Sequence, residues 1–169
     1  MSKTATYALI DSATATGSQS SITFTNIPQT YTDLILVSAF NGVSSNNFST
    51  RVGNGSIDTG ANYTYTRLWG TGSGGGSASR NANESFLTAN ITVGASGSNS
   101  IIQIMDYANT TTFKTALHRF NDAASIVFAI VGMWRSTSAI NQLNIYSTNS
   151  VNFASGSTFK LYGIQAGNA

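Results

Sequence analysis

The sequence predicts an all-β fold, a single-domain β-sandwich of jelly-roll type with about ten strands, and three observations carry that expectation. Wherever a hydrophobic pattern is clear its period is two, and no window of a dozen residues sustains the 3.6-residue period of a capped helix. Turn residues break the pattern every 8 to 14 residues, the spacing of short strands in a sandwich. At 169 residues and 41% hydrophobic, the chain is one domain long and can bury one core.

Taken in order, Tyr7 to Asp11 is a first short strand, and Ser21-Ile22-Thr23-Phe24 alternates as a half-buried strand does. Pro28 closes that segment, since it has no N–H to give to a ladder. Asp33 to Phe40 (DLILVSAF) is apolar on both faces, which predicts a central strand covered from both sides. Phe48 to Val52 returns to alternation and ends at the turn signal Gly53-Asn54-Gly55.

From Ser56 to Asn83 the pattern weakens, and the glycine- and serine-rich stretch around residues 70–82 predicts a flexible loop inside the single domain 1–169. Further strands are expected at Phe86 to Val93, Ser100 to Met105, Phe113 to Phe120, Ser125 to Trp134, Leu143 to Tyr146 and Thr158 to Ile164. Ile126 to Trp134 is apolar on both faces like Leu34 to Phe40, so each is expected at the centre of its own sheet.

Charge is scarce. Eight Lys or Arg and six Asp or Glu make up 8% of the chain, against about 25% in ordinary domains. In their place stand 24 Ser, 22 Thr and 17 Asn, so solubility rests on hydroxyls and amides. The net charge of +2 is spread from Arg51 to Lys160 without the basic stripe that phosphate neutralisation needs, which argues against a nucleic-acid partner. The absence of cysteine removes disulfides and thiolate chemistry. The apolar run Ile126 to Trp134 is too short to cross a membrane, and Met1 to Thr6 lacks a signal-like apolar core. A mature, non-membrane chain is therefore expected.

Candidate chemistry is sparse. His118 is the single histidine, and alternation groups it with Lys114, Ala116 and Phe120, away from Phe113 and Leu117. One histidine with scattered carboxylates supplies neither a triad nor a two-histidine metal site. The carboxylates of Asp11, Asp33, Asp58, Glu84, Asp106 and Asp122 fall mostly at expected strand ends, where they suit turn capping. Gly72-Ser73-Gly74-Gly75-Gly76 lacks the Lys-Ser/Thr and the helix of a phosphate loop. No catalytic residue, metal ligand or cofactor is expected. Tyr63, Tyr65 and Trp69 are the candidate ligand or interface surface, because aromatic faces on a β-scaffold can stack on sugar rings, although the same residues suit packing.

The segment Ser21-Ile22-Thr23-Phe24-Thr25-Asn26-Ile27-Pro28-Gln29-Thr30-Tyr31-Thr32-Asp33-Leu34 resembles a pattern near the start of small β-sandwich structural proteins of tailed bacteriophage virions. Asn62-Tyr63 with Arg67-Leu68, then Trp134 with Thr137-Ser138-Ala139-Ile140, and the ending Phe153-Ala154-Ser155-Gly156-Ser157-Thr158-Phe159-Lys160-Leu161-Tyr162-Gly163-Ile164 are similar to later landmarks of that family, in the same order. The resemblance implies a non-enzymatic virion protein, in the first instance a capsid decoration (cement) protein on the major capsid protein lattice, and in the second a tail-fibre or tail-tip module that binds a receptor or carbohydrate. It implies a homo-oligomer, a trimer first and a dimer second, at the capsid surface or on the tail. It transfers no catalytic residue.

Overall fold

The computed structural model describes residues 6–42, 46–88, 91–122 and 126–165. Thirteen strands form two antiparallel sheets: β1 (Tyr7–Thr14), β2 (Ser21–Phe24), β3 (Asp33–Phe40), β4 (Asn46–Asn54), β5 (Ser56–Ile57), β6 (Tyr63–Gly70), β7 (Ser77–Glu84), β8 (Ile91–Val93), β9 (Ser98–Met105), β10 (Lys114–Asp122), β11 (Ile126–Trp134), β12 (Gln142–Ser147) and β13 (Thr158–Ile164). The larger sheet runs β1-β13-β3-β9-β10-β11-β6-β7, and the smaller runs β2-β12-β4-β5 with β8 also paired to β4. Strands β1 to β4 alternate between the sheets, as do β12 and β13, so that β1-β13-β3-β9 opposes β2-β12-β4-β8. That is the double Greek key of a jelly roll. The hairpins β10–β11 and β6–β7 are additions that widen the first sheet to eight strands.

The core lies between the sheets. Leu34 and Leu36 of β3, Ile102 and Ile104 of β9, and Phe159 and Leu161 of β13 face Phe24, Val52, Leu143 and Ile145 of the smaller sheet, all buried. One end is held by four rings. Phe40 stacks on Phe48 at 4.9 Å, Phe48 on Phe153 at 4.5 Å, and Phe159 meets Phe153 edge-on at 4.8 Å, which links β3 and β13 to β4 across the interlayer space. Each such pair adds about 0.5–1.5 kcal/mol beyond the area it buries.

At the other end the segment after β2 crosses from the smaller sheet to the larger. The Ile27 N–H donates to Asn141 O at 3.0 Å, Gln29 Nε2 donates to Ile140 O at 2.9 Å, and the Tyr107 hydroxyl donates to Pro28 O. The chain then meets β13, where Thr32 N–H and Oγ1 both donate to Ile164 O and the Tyr31 ring lies on Gly163. Two of the sequence landmarks, Ile27 to Leu34 and Phe159 to Ile164, therefore pack against each other. Gly163 admits the side chain of Tyr31 there.

Several expectations are corrected. The stretch 56–83, where the pattern weakens and no strand was assigned, contains β5 and β6 and most of β7; of the loop expected at 70–82 only residues 71–76 connect strands. β7 (SASRNANE) escaped the sequence pattern because it is a polar edge strand with no apolar residue larger than alanine. Of the strand expected at Phe86 to Val93, residues 86–88 are not strand and Ile91–Val93 is; residues 89–90 within it, Ser125 of another expected strand, and the domain ends 1–5 and 166–169 lie outside the described residues. β3 and β11 do not centre two sheets: both sit inside the larger one, and the smaller sheet covers one face only.

A Cβ added at Gly163 would fall 2.2–2.5 Å from atoms of the Tyr31 ring. Gly163→Ala is expected to destabilise the fold by about 2–3 kcal/mol, as overpacking does, measured by denaturant unfolding. Combined with Tyr31→Ala it should cost less than the sum of the two single changes. Additive effects would show that the ring and the glycine do not bear on each other.

Candidate functional site

Of the three aromatic residues singled out in the sequence, two are core. Positions 63, 65, 67 and 69 share the inner face of β6, and Tyr63 and Tyr65 are 0% and 5% exposed. The Tyr63 hydroxyl sits 2.9 Å from both Val52 O and Asp58 O, and its ring stacks on Trp134. Tyr65 stacks on Phe86. Neither ring is open to solvent. Trp69 is half-buried, packed against Phe128 at 6.3 Å and beneath the Arg67 guanidinium at 4.7 Å. The correction follows from strand geometry: an alternating aromatic row in a sandwich faces the interior unless something else fills it.

Three charged side chains are held by contacts within the fold. Burial raises the Asp58 carboxyl, but donors from Trp134 Nε1 (2.7 Å), Asn62 Nδ2 (2.9 Å) and Gly60 N–H (2.8 Å) outweigh it and hold the group below the usual carboxylate range. Asp33 accepts from Gln103 Nε2 at 2.8 Å and from Asp106 N–H at 3.0 Å, tying β3 to β9 and the turn after it. Lys114 is buried with its ammonium on Thr112 O (2.8 Å) and Thr137 O (3.2 Å); burial pushes it down, and Asp106 pushes back.

His118 is buried in the inner face as alternation predicts, with Nε2 2.8 Å from Ser100 Oγ and Nδ1 without a hydrogen-bond partner. Burial pushes it down to about 3, so it is neutral in the fold at any ordinary pH.

The unassigned feature is the other face of the larger sheet. Strand register aligns it in rows: Ile35, Gln103, Leu117, Val131 and Thr66 form one, and Val37, Ile101, Arg119, Ala129, Leu68 and Ala78 form the next. Val127 is 60% exposed, Leu68 57% and Val131 50%. Nothing among the described residues covers them. Single exposed aliphatics are ordinary, but a contiguous field on one sheet face marks an interaction surface. The field is also concave. A cleft of about 570 Å³ is lined by Tyr7 of β1 together with Thr66 of β6, six strands away in a sheet whose strands lie about 4.8 Å apart. A neighbouring cleft of about 770 Å³ continues it past Leu68 and Ala78. The sequence signal for this face was present in β3 and β11, apolar on both sides; among the described residues no second sheet lies against the second side.

No family model matches the chain, and no curated protein matches it either.

His118 predicts a pH dependence. Its folded-state value lies below the ordinary value near 6.5, so between about 3 and 6.5 the unfolded chain binds a proton that the fold refuses. Stability is then complete above 6.5 and falls with falling pH, by about 1.4 kcal/mol per unit at most. Relative to pH 7, the native protein should lose about 2 kcal/mol more at pH 5 than a His118→Gln variant does. Unfolding titrations at the two pH values decide this, and a stability difference between the proteins that does not change with pH would exclude it.

Proposed function

We propose that this protein is a non-enzymatic structural component of a bacteriophage virion, a capsid decoration protein that docks on the major capsid protein lattice through the outer face of its eight-stranded sheet and stabilises the shell. The observation that carries the reading is the concave apolar field of Ile101, Leu117, Val127, Val131 and Leu68, which no described residue covers. Its size and apolar character suit the centre of a protein interface, and the hydroxyl and amide surface around it suits a polar rim. The sequence resemblance supplies the virion setting. A subunit that binds only the assembled lattice stabilises it by mass action, in proportion to occupancy.

The tail-tip reading drew its carbohydrate surface from Tyr63, Tyr65 and Trp69, and with the first two buried only Trp69 is left to serve it. Decoration is therefore the reading favoured, as a homo-oligomer whose trimeric form would match three-fold lattice positions.

Val131→Asp places a charge in the middle of the field at a solvent-exposed position. Its expected effect is a loss of more than about tenfold in association with virion particles, with the thermal midpoint lowered by only a few degrees, read by co-sedimentation and by calorimetry. Unchanged association would remove the docking face. Copies per particle separate the positions, hundreds for decoration and a handful for the tail.

A further inference from the structure

Resting on that docking reading, we propose that the concave face receives an extended, largely apolar polypeptide segment of the partner, and that the Arg119 guanidinium grips a carboxylate on it. Three contiguous clefts on this face, of about 770, 570 and 430 Å³, share two residues, Ile101 and Arg119. Arg119 therefore stands at their meeting point. Its cross-strand neighbours are Ile101 on β9 and Ala129 on β11, so no acid faces it.

The other arginines with described partners are spoken for within the fold. Arg51 donates to Ser85 O at 2.7 Å and lies over Tyr146, Arg67 donates to Ser79 Oγ at 2.9 Å, and Arg135 donates to Asn83 Oδ1 at 2.8 Å. Among the described residues none makes a hydrogen bond or ion pair to Arg119. A planar guanidinium in an apolar depression is the side chain best matched to a carboxylate, by two parallel hydrogen bonds that strengthen once water is excluded.

The occupant follows from charge and from the lining. Arg80 and Lys160 share this face with Arg119, whereas its one carboxylate, Asp33 at the rim, is already bonded to Gln103 and to the Asp106 N–H. Among the described residues the charges that strand register places on this face are thus mainly positive, and the field complements an anion. A second copy docked face to face would bring Arg119 near its own symmetry mate, since residues at the centre of a two-fold interface meet themselves. An acyl chain would use the aliphatic floor but not Asn99 and Asn121, which stand opposite each other in the largest cleft and suit the donors and acceptors of a peptide backbone. Crossing the field takes about ten extended residues.

The probe is an array of apolar peptides of about ten residues, synthesised in pairs that differ only in a central glutamate or glutamine and titrated against the full-length chain by tryptophan fluorescence. Glutamate peptides should bind about ten- to a hundredfold tighter than their glutamine twins, the range for a desolvated charge pair. Arg119→Gln should erase that preference, leave the glutamine twins' affinity and the thermal midpoint unchanged, and be only partly rescued by Arg119→Lys. Equal binding of the twins, or a preference that survives Arg119→Gln, overturns the role of Arg119. Dodecanoate binding more tightly than every peptide, self-association through the face, or no peptide binding at all overturns the peptide occupant. Particle association keeps the two readings apart. If Val131→Asp abolishes it and Arg119→Gln does not alter it, the docking face stands and the Arg119 proposal falls. If neither variant alters it, both fall.

Discussion

Eight strands facing five is the constraint on which the rest of the structure depends. The smaller sheet lies against the jelly-roll half of the larger one, where β3, β9 and β13 supply aliphatic side chains. Beyond it the inner faces of β10, β11 and β6 must be covered by other means, and large side chains do this: Tyr63 on Trp134, Tyr65 on Phe86, Trp69 and Phe120 on Phe128. Phe86 and Leu87, after β7, add to the cover. Leu87 N–H donates to Thr50 O at 2.7 Å, and Leu87 O approaches β11 so closely that a Cβ at Gly132 would stand 1.9 Å from it. The aromatic row of β6 is thus the consequence of a sheet too wide for its partner.

The same mismatch explains where the few charges go. A domain with 8% charged residues has little opportunity to pair them on its surface, and surface pairs contribute little in any case. Here arginines are instead fixed by carbonyls, hydroxyls and rings: Arg51 on Ser85 and Tyr146, Arg67 on Ser79 and Trp69. Aspartates cap turns or bridge strands. Against that economy of charge, the Arg119 guanidinium, beside Ile101 and Ala129, stands out as one that no described residue bonds.

Much of the fold was legible because period two is hard to mimic. The strands from β9 to β13, and those at Ser21–Phe24 and Asp33–Phe40, stand close to where alternation puts them, and His118 faces the interior as its neighbours predict. Alternation, however, reports that a strand has two kinds of face and not what lies against each. β3 and β11, apolar on both sides, were therefore read as doubly covered. β7 has polar residues on both sides and could not be distinguished from the glycine-rich stretch before it, because its pairing with β6 comes from the backbone and from contacts such as Arg67 with Ser79. Tyr63 and Tyr65 left two readings open for a related reason: an aromatic that binds sugar and one that fills a gap between sheets have the same sequence signature, and burial decides for packing.

An apolar face left open is a hazard unless other routes of association are blunted. The edges of the larger sheet are β1 and β7, and each carries an irregularity that bends it away from regular pairing. The register of β1 on β13 shifts between Leu9 and Asp11, and that of β6 on β7 shifts between Tyr63 and Thr64, beside Asn83 at a φ of 60°. Arg80 adds a charge to the second edge. Edge-to-edge growth, which depends on straight unpaired ladders, is thereby discouraged, whereas the central strands β3, β9, β10 and β11 are regular and hold the concave face in one shape. Rigidity there matters more than area, because a surface that need not reorganise loses less of its contact energy to ordering on binding. The irregular edges and the regular central strands thus leave the concave face as the part of the larger sheet best shaped for association.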